Sequence, residues 1–592
     1  MNYSWNAKNP DIKKAESLSS ELQISPFLSK LLVNRDISSH EEAYEFLNPY
    51  LKKNDGSLNL PNPFLLKGME ESVQRIIQAI ERVEKIAVYG DFDCDGITST
   101  AILYNFLNKI GANVVSYNPD RIKEGYGINF DSIKNLASGG VRLIVSTDCG
   151  ISENEVVRKS KKIELKREGN VEVVNVDFVI TDHHNVPDIT PDAVSIINPK
   201  QQECHYPFKE MCAAGVIFNL MMGIRKKLRE KKYFNGLIDE PNLKRDLDLV
   251  AIGTIADSMP LTGVNRIFVY NGLKEIRNTQ KKGLLALLKK NKKEVSKKKY
   301  SVRDVSFQLA PKINAAGRVG SASDAVQLLI ENDQNKIDLL AATLERNNID
   351  RRKKQGQVLK EAITMGQEVI KDNQDKRSLV LYSPKWHSGV IGIVASRISE
   401  EFNRPCAIIS IDKDGLGKGS LRTKNSINLY KILKECEPYL IQYGGHEAAA
   451  GITINSNEIG NFDNQFEDSI KNYNYESNKT IDADMEIELD EIQLSSIDDL
   501  NKMEPFGREN PNPVFLTRRI NVKDKTEFQG KKGGKHLEII MEKKGTEQRG
   551  VWFNFASDIQ IGDTVDIIYK IQKDTYNNKY KIVLLIDDLR PT

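Results

Sequence analysis

The stretch VYGDFDCDGITS, residues 88–99, places three carboxylates at every second position directly after an apolar run. In extended backbone, residues i, i+2 and i+4 point to one face of a strand, about 6.6–6.8 Å apart in succession. Asp91, Asp93 and Asp95 would then share one side, where unpaired carboxylates repel one another and take up protons. A multivalent cation removes this conflict, so the stretch indicates a metal site.

The pattern around this stretch predicts an α/β fold. Short apolar, β-branched runs alternate with segments of helical spacing such as STAILYNFLNKIG. The runs are EKIAVYGD, VRLIVSTD, VDFVITDHH and DAVSIINP. Such alternation predicts a parallel sheet covered by helices on both faces, with its ligand beyond the carboxyl ends of the strands. Each of the first three predicted strands ends in acidic residues or histidine.

Three further groups carry matching chemistry at positions that we expect to be strand ends. They are Asp148 in VSTDCG, the run Asp182, His183 and His184 in ITDHHN, and Asp257 in AIGTIADSMPL. Taken singly, each has a plain alternative, because DxDxD also forms calcium loops and a lone aspartate often caps a helix. Carboxylates with one or two imidazoles suit Mn²⁺ or Mg²⁺. Two such ions about 3.5–4 Å apart, sharing a carboxylate, are the usual device for phosphoester hydrolysis.

The composition indicates a soluble multidomain protein. The chain has 592 residues, 40% of them hydrophobic and 28% charged, which is enough for roughly three to five domains. The longest nearly apolar window, residues 211–224, falls short of the ~18 residues that a membrane span needs. The first residues lack the apolar stretch of a secretory signal. We therefore expect a cytoplasmic protein with no membrane partner.

The cysteine spacing and the net charge narrow the possible classes of protein only slightly. The six cysteines form no CxxC pair, which argues against a zinc ribbon or a disulfide framework. Cys204 and Cys212 around His205 leave a metal fragment as a minor alternative. The net charge is +3, so total charge does not identify a partner. The basic runs at 226–232 and 289–300 are typical of solvated helix faces or loops.

The remaining chain predicts three further parts. A polar helical segment from about Ser323 to Lys371 indicates a connector between domains. SLVLYSP, HSGVIGIVASRISEEF and PCAIISID form a second, smaller α/β unit, and the last hundred or so residues alternate at strand spacing, which suits a small antiparallel barrel. We predict an N-terminal helical extension (1–75), a catalytic domain (76–262), a helical connector (263–375), a substrate-binding domain (376–471) and a terminal barrel (480–592).

At these residues the chain resembles the DHH phosphoesterase superfamily and, within it, the RecJ family of single-strand-specific DNA exonucleases. The resemblance covers about residues 85–455 and continues into the barrel. It rests on the motifs YGDFDCDGITSTAIL, PDRIKEGYG, STDCGIS, ITDHHNVP, AIGTIADSMPL, LAPKINAAGRVGSA, WHSGVIGIVASR, GSLRT, GGHEAAAGI and MEPFGRENPNPVF. It implies a DHH catalytic domain, a DHHA1-type second domain and an OB-fold-like barrel that binds nucleic acid.

The resemblance also implies two ions, Mn²⁺ or Mg²⁺, in each active site. Asp93 and Asp148 would hold one ion, with Asp91 nearby, and Asp148 would bridge to the second. The second ion would be held by Asp95, Asp148, His183 and Asp257. The catalytic residues would be Asp148, His183 and His184, with His184 facing the scissile phosphate.

Six residues would bind the nucleotide chain in the same resemblance. Arg121, Arg318, Ser420 and Arg422 would bind the terminal 5′ phosphate, while His387 and His446 would line the nucleotide path. The residue types are compatible, because a guanidinium presents a fork matched to phosphate oxygens. Read alone, either arginine in NAAGR or GSLRT would be taken for a surface residue.

The implied function is metal-dependent, 5′-to-3′ hydrolysis of single-stranded DNA to mononucleotides, in DNA repair and recombination. A single-strand-binding protein and a repair helicase would be partners, and we expect a monomer. One rival is an enzyme of the superfamily that acts on short oligonucleotides or cyclic dinucleotides, although its members generally lack the terminal barrel. The other is a noncatalytic binding protein, which the complete ligand set disfavours.

Two features leave alternatives open. Trp552, Phe553 and Phe555 could stack on bases of the incoming strand or form barrel core, and Trp552 and Phe553 cannot both point inward from one strand. Between STDCGIS and ITDHH, residues of about 152–178 form a longer and more charged connection than the resemblance leads one to expect. We predict a surface elaboration there, because the ligands on either side are intact.

Overall fold

The computed structural model describes residues 4–121, 124–167, 170–289, 294, 297–424, 427–473, 480–530, 534–555, 558–574 and 581–592. Half of the basic run at 289–300 therefore lies outside the described residues. The chain forms two compact units. One comprises Met1–Pro61, Ser258–Lys274 and Asn478–Thr592, and the other comprises Asn62–Asp257 and Glu275–Ser477. None of the described helices is both long and apolar enough to cross a membrane.

The first unit joins the two ends of the chain. Strand β1 (Ser4–Ala7) pairs in parallel with β14 (Thr480–Ala483). Helices α1 (Ile12–Leu22), α2 (Pro26–Val33) and α3 (His40–Leu47) contribute buried side chains to the barrel core, among them Leu28 and Leu32. The sequence predicted only a helical extension here, because its packing partner lies more than 400 residues away.

A parallel five-stranded sheet forms the centre of the second unit, as the sequence predicts. Its order is β3-β2-β4-β7-β8, and every pairing is parallel. The core side chains of the central strands are buried on both faces, which explains their continuous apolar runs. The strands are β2 (Lys85–Gly90), β3 (Val114–Tyr117), β4 (Val141–Thr147), β7 (Asp177–Thr181) and β8 (Ser195–Ile197).

Six helices accompany this sheet: α4 (Met69–Glu81), α5 (Cys94–Lys109), α6 (Phe130–Ser138), α7 (Asn154–Ser160), α8 (Ala213–Glu230) and α9 (Leu247–Ala256). The apparent insertion contains α7 and a hairpin of β5 (Ile163–Arg167) and β6 (Asn170–Val174). One hairpin face is buried through Ile163, Leu165 and Val174, whereas Val171 and Val173 are exposed. The hairpin is thus an added surface layer beside the sheet.

A run of helices follows: α10 (Gly263–Asn278), α11 (Lys282–Leu287), α12 (Val302–Asp304), a π-helical turn (Val305–Leu309), α13 (Ala310–Val319), α14 (Ala322–Ile330) and α15 (Gln334–Asp372). The predicted polar connector is therefore two helices, broken before Asp333, whose side chain caps α15. Helix α15 has 39 residues and few buried ones.

The second α/β layer contains β9 (Leu379–Ser383), α16 (Ile391–Phe402), β10 (Cys406–Ile411), β11 (Leu416–Arg422), α17 (Leu429–Glu435), β12 (Gln442–Gly445), β13 (Ala449–Asn455) and α18 (Ile459–Lys471). Its sheet order is β12-β13-β11-β10-β9. Only β9 and β10 are parallel, and the other pairings are antiparallel.

The terminal barrel consists of β16 (Phe515–Gln529), β17 (Lys535–Lys543), β18 (Thr546–Phe553), β19 (Thr564–Lys573) and β20 (Ile582–Pro591), preceded by β15 (Met485–Glu486) and α19 (Leu494–Met503). Pairing of β16 with both β17 and β19 closes it. The expected antiparallel barrel needs one correction, since β18 and β20 run parallel. The predicted fold class, with its parallel sheet, helical connector, second α/β layer and barrel, is confirmed.

Candidate active site

Three carboxylates follow directly on the three central strands of the parallel sheet. Asp91 follows β2, Asp148 follows β4 and Asp182 follows β7. Each backbone N–H donates to a neighbouring strand or its extension: Asp91 to the Thr147 carbonyl, Asp148 to Thr181 and Asp182 to Ile197, at 3.0–3.2 Å. The hydrogen-bond ladder therefore places all three at the carboxyl edge of the sheet, as predicted.

The aspartate stretch itself is not an extended strand, which corrects our expectation that Asp91, Asp93 and Asp95 share one strand face. The chain turns after Asp91, and α5 begins at Cys94 with Asp93 as its N-cap. Asp93 Oδ1 accepts the N–H groups of Asp95 and Gly96 at 2.9 and 3.1 Å. A helix start needs such an acceptor, and aspartate is among the preferred ones. A Cβ at Gly96 would lie 2.6 Å from the Asp91 carbonyl oxygen, so glycine permits the turn.

Helix ends place the two remaining carboxylates. Both oxygens of Asp95 accept hydrogen bonds at the start of α8, from the N–H of Ala213 at 2.6 Å and of Ala214 at 3.0 Å. Asp257 is the C-cap of α9, so the prediction of a strand end there is wrong. The run AIGTIA is apolar apart from Thr254, because α9 is buried up to Ile255. Such a run does not distinguish a buried helix from a strand.

The predicted ligands form two adjoining groups. Oxygens of Asp91, Asp93 and Asp148 lie within 4.8 Å of one another, and so do ligand atoms of Asp95, His183 and Asp257. His183 Nε2 lies 3.1 Å from Asp148 Oδ1, 3.7 Å from Asp257 Oδ2 and 3.9 Å from Asp95 Oδ2. Asp148 and His183 thus connect the two groups.

The electrostatics of these groups fit a cation. Burial, reinforced by the charge of Asp93, raises the pKa of both Asp91 and Asp148 well above its ordinary value. Burial and the same charge raise the pKa of Asp95 to about 6, and burial with the Asp95 charge raises that of Asp257 to about 7. Asp91 Oδ1 is buried without a hydrogen-bond partner among the described residues. Oxygen and imidazole donors in this state suit Mn²⁺ or Mg²⁺.

His184 adjoins both groups, because ligand atoms of Asp148, His183 and His184 also lie within 4.8 Å of one another, and a buried carboxylate fixes its ring. Its Nδ1 lies 2.7 Å from Asp182 Oδ1, an oxygen that also accepts the backbone N–H groups of His183 and His184. Burial alone would lower the pKa of His184, but this hydrogen bond raises it to about 9. The Asp182 carboxylate therefore favours the protonated form of His184. His183 differs, because burial lowers its pKa.

The four residues predicted to bind a terminal phosphate lie in one cavity of about 900 Å³, whose lining includes Arg121, Arg318, Ser420 and Arg422. Arg422 Nη1 donates to Ser420 Oγ at 3.0 Å. Burial lowers the pKa of each arginine, that of Arg318 to about 10. A Cβ at Gly389 would lie 2.1 Å from the Arg318 carbonyl oxygen, so this glycine allows the second domain to approach it. Four guanidinium groups line the cavity. That of Arg397 is paired with Glu400 at 3.5 Å, whereas those of Arg121, Arg318 and Arg422 have no carboxylate hydrogen bond among the described residues.

The two histidines of the second domain differ in position. His446 Nδ1 lies 3.4 Å from Asn185 Nδ2, beside the His184 loop, and burial with the His184 charge lowers its pKa. His387 Nδ1 accepts the Gly389 N–H at 3.0 Å, so one of its nitrogens shapes the turn before α16. His446 thus lies beside the loop that carries His184, whereas the Nδ1 atom of His387 bonds within its own turn.

Four residues near the site had no role assigned from the sequence, although the position of Asp182 at a strand end was predicted. Asp182 orients His184, Tyr126 Oη lies 3.5 Å from His184 Nδ1, and Asn314 Oδ1 accepts the Cys94 N–H at 2.9 Å. Arg351 is buried on α15, and its charge helps to lower the pKa of Arg318. Asp182, Tyr126 and Asn314 stand inside the quoted motifs, so the signal was present, whereas nothing in RNNIDRR marks Arg351.

Comparison with known proteins agrees with this geometry. Three family models match in chain order: DHH family, N-terminal domain (85–254), DHHA1 domain (375–472) and RecJ OB domain (483–588). The chain is 34% identical to the single-stranded-DNA-specific exonuclease RecJ of Bacillus subtilis, over 99% of this chain and 70% of that protein. It is 30% identical to that of Haemophilus influenzae, with 96% of each chain covered.

Solved structures show the same likeness. The crystal structure of RecJ from Thermus thermophilus in complex with Mn²⁺ matches with a TM-score of 0.80 and 26% identity, over 99% of this chain and 79% of that chain. The corresponding Mg²⁺ complex matches with a TM-score of 0.75 and 25% identity, over 99% and 78%. The chain therefore belongs to the RecJ family of DHH-type single-stranded-DNA-specific exonucleases.

Proposed function

We propose that the chain is a metal-dependent exonuclease that removes mononucleotides from the 5′ end of single-stranded DNA, in DNA repair and recombination. The relatives' names supply the substrate class. The observation that carries the proposal is the joint occurrence, in one compact unit, of the ligand groups around Asp148 and the arginine cavity. The first suits hydrolysis of a phosphodiester, and the second suits capture of a phosphate end.

Two divalent ions, Mn²⁺ or Mg²⁺, complete the site in this proposal. Bound there, they would supply charge stabilisation and a nucleophile derived from water at neutral pH. Asp148 would be the shared ligand, because it belongs to the group with Asp91 and Asp93 and lies 3.1 Å from His183 in the other group. The second ion would take Asp95, Asp148, His183 and Asp257.

His184 binds the scissile phosphate through a charge-assisted hydrogen bond. Its Nδ1 is engaged by Asp182, which leaves Nε2 to face substrate as a donor. The Asp182 carboxylate raises the pKa of His184, which favours the charged, donating form of the ring. A fixed donor of this kind stabilises the charge that develops on phosphate oxygens in the transition state.

The arginine cavity gives the enzyme its polarity. A terminal 5′ phosphate held by Arg121, Arg318, Ser420 and Arg422 would set how far the strand extends toward the metal ligands. Guanidinium groups match phosphate oxygens in bidentate pairs. One nucleotide would then span the interval between this cavity and His184, with His446 beside its path.

The barrel binds the incoming strand through exposed aromatic rings. Phe528, His536 and Phe553 are cross-strand neighbours on β16, β17 and β18. The ring centroids of His536 lie 5.3 Å from Phe528 and 5.1 Å from Phe553, both edge-on. Phe528 is 39% exposed and Phe553 is 53% exposed. Trp552 and Phe555 instead pack against the barrel core, so of the three predicted aromatics only Phe553 is available to stack on a base.

The decisive experiment is a metal-dependent digest of 5′-labelled and 3′-labelled single and double strands. We expect the 5′ label to be released first as a mononucleotide, from single strands only, and only with Mn²⁺ or Mg²⁺ present. Release of the 3′ label first would refute the polarity, and digestion confined to oligonucleotides of a few residues would favour the short-substrate rival. Tight strand binding without any cleavage would favour a noncatalytic role.

A further inference from the structure

The arginine cavity extends beyond the residues assigned to the terminal phosphate. Lys418, Ser420 and Arg422 occupy alternate positions of β11 and so share one sheet face, about 6.6–6.8 Å apart in succession. All three line the cavity. Arg422 pairs with Ala449, close to the His446 turn, whereas Lys418 pairs with Thr453 at the far end of β13. The cavity therefore continues for one strand repeat past Ser420, away from the metal ligands.

Two glycines form the floor of this extension. Gly451 lies opposite Ser420, and Gly444 lies opposite Gly451, so they continue the Ser420 row across three strands. A Cβ at Gly444 would meet nothing within 4 Å, and one at Gly451 would find its nearest atom at 3.9 Å. Neither glycine has a positive φ. Neither local packing nor backbone conformation requires glycine there, and a strand glycine often marks close approach of a ligand to the backbone.

The next row supplies hydrogen-bond donors. Lys418, Thr453 and Gln442 are cross-strand neighbours on β11, β13 and β12 and line the cavity. They offer an ammonium, a hydroxyl and an amide, all of which donate to phosphate oxygens. In the described part of the chain Lys418 has no ion pair. On the facing wall, Glu400 is paired with Arg397 and Lys424 at 3.5 and 3.3 Å, so its charge is balanced.

We propose that Lys418, Thr453 and Gln442 form a second anion subsite, which lets the enzyme accept a 5′ end that carries a triphosphate. This inference rests on the proposed function. The α-phosphate would occupy the site of Arg318, Ser420 and Arg422, and the polyphosphate would cross the Gly444 and Gly451 floor to Lys418. When the strand ends in a monophosphate, Lys418, Thr453 and Gln442 stay in contact with solvent. The subsite is therefore not needed for monophosphate ends, and it adds triphosphate ends to the substrates.

The chemistry of cleavage is unchanged by the extra phosphates. Water adds across the first internal phosphodiester, the phosphate stays on the shortened strand as its new 5′ end, and the departing 3′ oxygen takes a proton. The first product is then a nucleoside 5′-triphosphate with its polyphosphate intact. Every later product is a mononucleotide. No further co-reactant is required.

The test compares 3′-fluorescent oligodeoxynucleotides with a 5′-hydroxyl, a 5′-monophosphate or a 5′-triphosphate, and a fourth whose 5′ end carries a bulky blocking group. Binding to the full chain is measured by fluorescence anisotropy in EDTA. We expect the triphosphate strand to bind at least as tightly as the monophosphate strand. Lys418→Ala should weaken triphosphate binding relative to monophosphate binding by about tenfold or more, the loss typical of a hydrogen bond to a charged group.

Two variants serve as comparisons. Lys413→Ala removes an exposed lysine of the same domain that does not line the cavity. It should leave the ratio of triphosphate-strand affinity to monophosphate-strand affinity unchanged. In Gly444→Val the new Cβ would have no protein atom within 4 Å, so the variant should fold. Its side chain would fill the cavity floor and should lower the ratio of triphosphate-strand affinity to monophosphate-strand affinity. With Mn²⁺, chromatography of the first turnover should detect nucleoside triphosphate from the triphosphate strand.

Each failure has a distinct meaning. If the triphosphate strand binds and reacts no better than the blocked strand, the subsite is refuted. Equal losses on both strands in Lys418→Ala would also refute it, because a general electrostatic effect would then suffice. If the monophosphate strand binds but is not cleaved with Mn²⁺, the proposed function fails instead, and the binding ratio in EDTA alone decides the subsite.

Discussion

His183 Nε2 lies 3.1 Å from Asp148 Oδ1, and this contact joins the two groups of candidate metal ligands. Asp148 reaches it from the end of β4 with a φ of 67°, in the left-handed region. Aspartate is one of the non-glycine residues that adopt this region more readily than others, so the conformation is tolerated at the end of the strand. The Asp148 N–H donates to the Thr181 carbonyl at 3.1 Å, which helps to position the residue beside His183.

Asp148→Asn should abolish turnover while preserving the fold. The change removes the charge that both ligand groups share and retains the shape of the side chain. Loss of several kcal/mol of charge stabilisation predicts a rate reduction of at least about a hundredfold. The measurement is single-turnover digestion of a 5′-phosphorylated single strand with Mn²⁺.

A thermal melt provides the control for Asp148→Asn. Without metal, the variant should be at least as stable as the unaltered chain at pH 8, because it lacks one of several mutually repelling buried carboxylates. Undiminished cleavage by the variant would exclude a shared-ligand metal centre. A variant that is both inactive and much less stable would make the activity loss uninformative, and Asp148→Ser would then replace it.

Mn²⁺ should stabilise the protein more at pH 8 than at pH 5.5. Burial and neighbouring charges raise the pKa of Asp95 to about 6 and that of Asp257 to about 7, from ~3.9 in an unfolded chain. A group whose pKa is raised by folding stabilises the fold below its unfolded pKa, and this contribution is lost as the pH rises through the folded pKa. The metal-free protein should therefore lose stability between about pH 4 and pH 7, and a bound cation offsets that loss.

The check is the shift in Tm on adding saturating Mn²⁺ at the two pH values. A larger shift at pH 8 is expected for the unaltered chain, because protons no longer compete for the carboxylates. Asp257→Asn removes one of the raised groups and should reduce the difference between the two shifts. Equal shifts at both pH values would contradict the assignment of these carboxylates as ligands.

The strand-end carboxylates were predictable because their signal is local. Asp91, Asp148 and Asp182 each end a β-branched apolar run, and adjacent parallel strands bring such ends together. The prediction that Asp93 and Asp95 lie on a strand was wrong, because the helix already begins at Cys94. The alternating carboxylates fit both a strand and a capped helix start. The partners of Asp95 lie 118 and 119 residues further along the chain, a distance over which periodicity carries no information.

Asp182→Asn should lower activity through His184. The Asp182 carboxylate anchors the His184 ring at 2.7 Å and accepts three backbone N–H groups, from Ile151, His183 and His184. An amide in its place loses the charge-assisted bond that orients the ring. Hydrogen-bond partners that orient a metal-ligating histidine are typically worth about 10–100-fold in activity, and we expect a loss of similar size for this phosphate-facing histidine. We expect kcat to fall by that amount with little change in KM.

A double-mutant cycle separates this effect from a general loss of structure. If Asp182 acts through His184, then Asp182→Asn combined with His184→Gln should be no slower than His184→Gln alone. Additive losses would show that Asp182 has an independent role. Circular dichroism and Tm of all three variants report any contribution from the N–H groups that Asp182 satisfies.

The exposed rings of the barrel should bind single strands without supporting the fold. Phe553 is 53% exposed and lies edge-on to His536, whereas the neighbouring Trp552 packs against the core. Stacking of a base on an aromatic ring is worth about 1–3 kcal/mol, so Phe553→Ala should weaken strand binding by roughly fivefold to a hundredfold. Because its ring is largely in solvent, Tm should change little.

Ile561→Ala is a matched control, since Ile561 is an exposed apolar residue of the same barrel at 58% exposure and offers no ring. It should leave both binding and Tm unchanged, while Trp552→Ala should lower Tm by removing contacts with the core. Anisotropy with a 5′-phosphorylated strand long enough to reach the barrel, compared with a very short one, locates the effect. A loss of binding in Phe553→Ala that is the same for both lengths would place its cause outside the barrel surface and contradict the stacking role.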